Sequence, residues 1–208
     1  MIGVVDYGSG NILSVTNALA MIGAEVRLCS TPEQLLFAER IVLPGVGAFK
    51  SCLDNLRDRG FERILDELVI RQRRPILGIC VGMQLMARKS WEGGEHDGLG
   101  WFDAEILRME PHQARLRVPQ IGWNDIEYQA NCPLFAGLPR NPDVYFVHSY
   151  SMHCQNKADI SAWCDYGGHV TAAVWRDNIV ATQFHPEKSQ EFGLRMLENF
   201  IRWTPPLC

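Results

Sequence analysis

No stretch of this 208-residue chain is apolar for the roughly 20 residues that a membrane-crossing helix requires. No run of Lys or Arg stands out, and the formal net charge is -4. Nucleic acid and anionic membrane are therefore not expected as main partners. The opening Met1-Ile2-Gly3-Val4-Val5-Asp6 lacks the basic flank and long apolar core of a secretory signal, so the cytoplasm is the expected compartment. There is no internal repeat, low-complexity tract or linker, and residues 1–208 are expected to form one globular domain. The seven cysteines, Cys29, Cys52, Cys80, Cys132, Cys154, Cys164 and Cys208, are odd in number and include no Cys-x-x-Cys. A disulfide scaffold is not expected. All but Cys80 read as buried, reduced thiols acting as small hydrophobes.

What is present is an alternation. Ile2–Val5, Glu25–Leu28 and Arg40–Leu43 read as short apolar strands. Between them Ile12, Val15, Leu19 and Ile22 recur at helical spacing, with Gly23 as a stop. Pro44-Gly45-Val46-Gly47 reads as a break. Two further helical stripes follow, Phe49/Cys52/Leu53/Leu56 and Phe61/Ile64/Leu65/Leu68. The run Ile76–Ile79 is a strand ending at Cys80, and Met83 to Ala87 suit a helix. Such alternation predicts an α/β fold with a mostly parallel sheet flanked by helices. In the second half, Trp101–Met109, Trp123–Tyr128, Val144–Val147, His169–Trp175 and Ile179–Phe184 are strand candidates with few helices between them. They predict added antiparallel strands. Trp91–Gly98 reads as a surface loop, and Phe192 to Trp203 as a closing helix stopped by Pro205-Pro206.

The sharpest local signal is Gly78-Ile79-Cys80-Val81-Gly82. A nucleophile on a tight strand-to-helix turn needs small flanking residues, because side chains there would clash. The turn exposes the sulfur at the carboxyl edge of the sheet. A helix N-terminus beside it favours thiolate, and the Val81 N–H can help hold an oxyanion. Of six histidines, His185 differs by its setting in Gln183-Phe184-His185-Pro186-Glu187-Lys188, after a strand candidate. If that segment is extended, residues 185 and 187 share one side. Glu187 then orients the imidazole and stabilises its cation, the logic of a nucleophile, base and orienter. His148, His153 and Cys154 lie close in sequence but match no zinc spacing, and no metal or cofactor is expected.

Together these segments resemble the class I glutamine amidotransferases of the triad type, with their flavodoxin-like mixed sheet. More narrowly they resemble the glutaminase subunits of imidazole glycerol phosphate synthase in histidine biosynthesis. Six ordered blocks carry the resemblance: Asp6–Asn11, Pro44–Phe49, Gly78–Gln84, Gly122–Asn124, Phe146–Tyr150 and Gln183–Ser189. Gln120 and Gln190 depart from it, standing where His and Ser are expected. The resemblance implies Cys80 as nucleophile, His185 as acid and base, and Glu187 as orienting carboxylate. It implies oxyanion donors at Val46 and Gly47 beside Val81. Gly45, Gln84, Glu92, Ser149 and Tyr150 would hold L-glutamine. Asn11, Trp123 and Lys188 would face a (β/α)8 cyclase subunit that receives the ammonia in a heterodimer. Trp123 reads equally as a core aromatic. A paralogous glutaminase feeding a synthase that builds an amidino group on a surface sugar remains the alternative.

Overall fold

The computed structural model describes residues 1–113 and 115–206; Cys208 lies outside them. In chain order the elements are β1 (Ile2–Val5), α1 (Ile12–Met21), β2 (Val26–Cys29), α2 (Pro32–Leu35), β3 (Arg40–Gly45), α3 (Phe49–Asp58) and α4 (Phe61–Leu65). A π-helical stretch Asp66–Arg71 leads on to β4 (Ile76–Cys80), α5 (Val81–Leu85), β5 (Ala87–Ser90), β6 (His96–Asp97), β7 (Phe102–Arg108), β8 (Gln120–Asp125) and β9 (Glu127–Tyr128). The rest are β10 (Asp143–His148), β11 (Tyr150–Cys154), β12 (Ile160–Asp165), β13 (His169–Arg176), β14 (Ile179–Thr182) and α6 (Gln190–Arg202).

The main sheet runs β2-β1-β3-β4-β14-β13-β12-β9. The pairings from β2 through β14 are parallel. Those from β14 out to β9 are antiparallel. β1 and β4 are buried along their whole length. That is why they read as unbroken apolar runs rather than alternating ones. The amphipathic helices then cover the sheet, α1 through Val15, Ala18 and Leu19, and α6 through Met196, Leu197 and Phe200.

The second half does hold antiparallel strands, but not all of them extend the main sheet. Only β13, β12 and β9 do so. A separate sheet runs β11-β7-β5-β6, and β10 pairs with β8 alone. Three local expectations need correction. Pro44 and Gly45 do not break the chain: they continue β3, opposite Ile79 and Cys80 of β4. The helix after Cys80 is only five residues long, and Ala87 begins a strand. There the Ala87 carbonyl accepts from Gly100 N, and Gly98 packs so close that a Cβ would lie 2.2 Å from it. Trp91–Gly98 is not all loop, since His96–Asp97 pairs back on β5.

Among the described residues no helix is long and apolar enough to cross a membrane. Cys29, Cys52, Cys132, Cys154 and Cys164 are buried free thiols.

Candidate active site

β3, β4 and β14 are adjacent and parallel, so their carboxyl ends deliver three chain segments to one place. Thr182 stands opposite Ile79. The residues just beyond, Gln183 to Glu187, therefore arrive beside Cys80, which is 103 positions before Gln183. Open α/β sheets bind ligands at this edge.

Cys80 has φ 55° and ψ -111°, a strained conformation for a residue with a Cβ. Its neighbours permit the turn. A Cβ at Gly82 would sit 1.9 Å from the Leu43 carbonyl oxygen, and one at Gly78 2.7 Å from the Met86 methyl. Backbone contact thus requires glycine at 82, while at 78 the flexible Met86 side chain would have to give way. The field of so short a helix is weaker than a long macrodipole, which leaves His185 as the main positive partner.

His185 Nδ1 donates to Glu187 Oε1 at 2.8 Å, with both side chains almost fully buried. The segment is not extended as expected. Pro186–Lys188 forms a 3-10 turn with Pro186 at its first position, and the turn rather than strand alternation brings the carboxylate to the ring. Burial, the largest influence, pulls the His185 pKa down. Hydrogen bonding and charge from Cys80 and Glu187 outweigh it and raise the value to about 9. The ring is thus held as imidazolium at neutral pH, with Nε2 buried and free of other partners among the described residues. Asn11 Nδ2 also reaches Glu187 Oε1, at 3.4 Å.

A cavity of about 310 Å³ opens over the sulfur, on the scale of a small-molecule site. Cys80, Val81, Val46, Gly47, His185, Gln84, Glu92, Ser149 and Tyr150 all line it. Gly45 does not. It is buried behind the cavity, where a Cβ would meet Gly82 N at 2.7 Å and the Tyr7 hydroxyl at 2.8 Å. Its role is close packing of β3 on the elbow.

Three tethers hold the loop after Gly45. Tyr7 donates to Pro44 O at 2.9 Å, Cys52 Sγ to Val46 O at 3.3 Å, and Phe49 N to Glu92 Oε2 at 2.7 Å. Glu92 therefore has a structural bond as well as a place in the cavity.

The docking candidates lie outside the cavity. Trp123 is 45% exposed, so it is no core aromatic. It stands opposite Tyr145 in an edge contact with ring centroids 6.0 Å apart. Lys188 Nζ lies 5.7 Å from the same tyrosine ring. Asn11 instead touches the Glu187 carboxylate.

Sequence reasoning missed Tyr7, Tyr145, His148 and Gln183. Gln183 lies within the His-Pro-Glu block, and Tyr7 in the first loop; position in the motif is the only signal. The odd residue Gln120 is 2% exposed and 3.0 Å from His148 Nε2. Burial lowers the His148 pKa to about 4, so the ring is neutral. His148 Nδ1 faces the Tyr150 carbonyl at 2.8 Å, so the proton is on Nδ1. Gln120 Oε1 stands at that 3.0 Å and its Nε2 lies 3.9 Å from Cys164 Sγ; a ring protonated on Nδ1 calls for the amide turned the other way.

The sequence model of the glutamine amidotransferase class-I family matches residues 3–203. The chain belongs to this family. Among the amidotransferases it is 46% identical to the imidazole glycerol phosphate synthase subunit HisH of Mesorhizobium japonicum, over 98% of this chain and 99% of that one. It is 44% identical to imidazole glycerol phosphate synthase subunit HisH 1 of Campylobacter jejuni, over 97% and 100%. Two solved structures share the amidotransferase fold. A putative GMP synthase subunit from Thermoplasma acidophilum superposes with a TM-score of 0.73 at 23% identity, covering 96% of this chain and 91% of that one. PurLQS from Thermotoga maritima superposes at 0.76 with 16% identity, covering 96% of each.

Proposed function

We propose that the chain is the glutaminase subunit of an imidazole glycerol phosphate synthase, acting in the cytoplasm. It hydrolyses L-glutamine to glutamate and ammonia and delivers the ammonia to a (β/α)8 cyclase subunit for histidine biosynthesis. The observation that carries the chemistry is the convergence of Cys80 and the His185–Glu187 pair, bonded at 2.8 Å, on one cavity. The likeness to the synthase subunits across nearly the whole chain supports the pathway.

With the Cys80 proton already resting on His185, the thiolate attacks the side-chain amide carbon. The oxyanion forms within reach of the backbone N–H groups of Val81 and the Val46–Gly47 loop, each worth on the order of 3 kcal/mol. The His185 imidazolium then protonates the departing nitrogen, and ammonia leaves as the thioester forms. The neutral ring next takes a proton from water, which cleaves the thioester to glutamate and leaves the thiolate beside the imidazolium. Gln84, Glu92, Ser149 and Tyr150, which line the cavity with the sulfur, hold the amino-acid end of glutamine. Free ammonia at neutral pH is mostly ammonium, which is not a nucleophile, so direct transfer to a docked cyclase keeps it reactive. Trp123, Tyr145 and Lys188 form the docking face, with Asn11 at its inner edge.

Of the two departures that leave room for a different customer, Gln120 is buried and does not reach the surface, whereas Gln190, at the start of α6, is exposed. The test is glutamate release from glutamine by the purified chain, alone and with a histidine-pathway cyclase. Release that rises with the cyclase and vanishes in Cys80→Ala is expected. Release unaffected by the cyclase, with failure to rescue a histidine auxotroph lacking its own glutaminase, would overturn the pathway assignment.

A further inference from the structure

Behind the cavity runs a chain of buried amides that ends on the nucleophile. The Tyr150 carbonyl accepts from His148 Nδ1 at 2.8 Å and from Gln84 Nε2 at 3.0 Å. A carbonyl can only accept, so the orientation of the Gln84 amide is decided. Its Nε2 donates its second hydrogen to Gln183 Oε1 at 2.9 Å, and that decides Gln183 in turn. The Nε2 of Gln183 is left facing Cys80 Sγ at 3.7 Å. Gln183 is fully buried and does not line the cavity, so this bond is its contact with the reacting centre.

We infer that Gln183 is a further catalytic group, an N–H donor that stabilises the Cys80 thiolate. The inference rests on the glutaminase reading of the site. A neutral amide serves here better than a charged donor: it stabilises an anion without displacing the imidazolium, which must later give up its proton. Gln84, which meets the substrate by that same reading, is one hydrogen bond away from the donor.

Size and sign follow from general chemistry. Losing one donor to a charged acceptor lowers the thiolate population about tenfold where the thiol predominates. The less stabilised thiolate is also more nucleophilic, by about threefold for that change in basicity. The rate of alkylation on the acid limb should thus fall only about threefold, the midpoint of the pH profile should move up by about one pH unit, and the alkaline plateau should rise. The other titratable groups facing the sulfur or its neighbours are His185, Glu187, Tyr7, Cys52, Glu92 and His148. An apolar residue at position 183 adds no titratable group to this set.

The experiment measures iodoacetamide alkylation of Cys80 against pH in the full chain, wild type and Gln183→Met. A second variant, Gln183→Leu, also removes the donor and adds no ionisable group, so it serves if the methionine variant does not fold. An upward midpoint with a raised plateau is the expected result. A folded variant with the wild-type midpoint overturns the inference, as does a rate lowered equally at every pH. Wild-type glutamate release, measured in the same preparations, tests the glutaminase reading separately: its absence sinks that reading, and its presence beside an unmoved profile sinks only the role of Gln183.

Discussion

His185 Nδ1 bonds Glu187 Oε1 at 2.8 Å while Glu187 Oε2, equally buried, has no partner among the described residues. A carboxylate withdrawn from water in this way has one means of offsetting its charge, the imidazolium beside it. Glu187→Gln removes that charge and permits the wrong ring tautomer. The expected loss in kcat/KM for glutamine is on the order of 10³-fold with KM little changed. Steady-state kinetics of the cyclase complex measure it, and a loss under tenfold would remove Glu187 from the triad.

The elevated His185 pKa of about 9 has two consequences for pH. Thioester formation needs the imidazolium to protonate the leaving nitrogen, so the rate of that step should decline as pH rises through about 9. Stability follows the same group. The folded value lies above the unfolded value of about 6.5, so the folded state binds the extra proton. The contribution to stability is complete below about 6.5 and is lost as pH rises through about 9. Cys80→Ala removes one of the two partners that raise the value. Its urea midpoint should therefore fall less than that of the wild type between pH 7 and 9.5.

Asn11 shares Glu187 Oε1 with His185, at 3.4 Å. The family resemblance implies a place on the docking face, and the structure adds a contact to Glu187. Asn11→Ala should lower glutaminase kcat by about 2–5-fold, the value of one modest hydrogen bond. Titration of the cyclase by the variant then shows whether affinity changes as well. Unchanged kcat with weakened affinity would leave Asn11 purely an interface residue.

A Cβ at Gly82 would lie 1.9 Å from the Leu43 carbonyl oxygen, and backbone cannot step aside as a side chain can. Gly82→Ala should destabilise the chain by about 3 kcal/mol or more. The comparison is Gly47→Ala, where nothing lies within 4 Å but φ is 104°, so the penalty there is backbone strain of about 1–3 kcal/mol. Urea denaturation of the two variants ranks them; equal midpoints would refute the steric account.

Trp123 and Lys188 meet through the ring of Tyr145. Trp123→Ala should weaken cyclase binding by more than about tenfold, as loss of an interface aromatic does. Lys188→Ala should weaken it about 2–5-fold, the scale of an exposed cation–π contact. Wild-type affinity in both variants, by titration calorimetry, would move the docking face elsewhere.

Much of the fold is legible in the sequence because it rests on local chemistry. The apolar runs of β1, β3 and β4 are strands buried on both faces. The elbow at Cys80 announces itself because glycine stands on either side. β5, β11 and β12 escaped notice: Ala87-Arg88-Lys89-Ser90 and Tyr150–Cys154 have neither an alternating pattern nor turn residues of their own. These two become strands because β7 supplies partners for both. Of the residues named for the pocket and its oxyanion donors, all but Gly45 line the cavity, while Pro119, Val147 and His148 line it without having been singled out. Gln183 was not singled out, because a glutamine in a motif looks the same whether its amide meets solvent or sulfur.

The sequence by itself determined which side chains could do chemistry: a thiol between glycines, and an imidazole two residues from a carboxylate. These depend on bond lengths and local sterics, which a few residues specify. Tertiary structure alone decided that the thiol and imidazole meet, because the pairing of β4 with β14 is a long-range hydrogen-bond register. It also decided how they behave, since burial and the proximity of opposite charges set the proton on His185 and leave the Gln183 amide facing the sulfur.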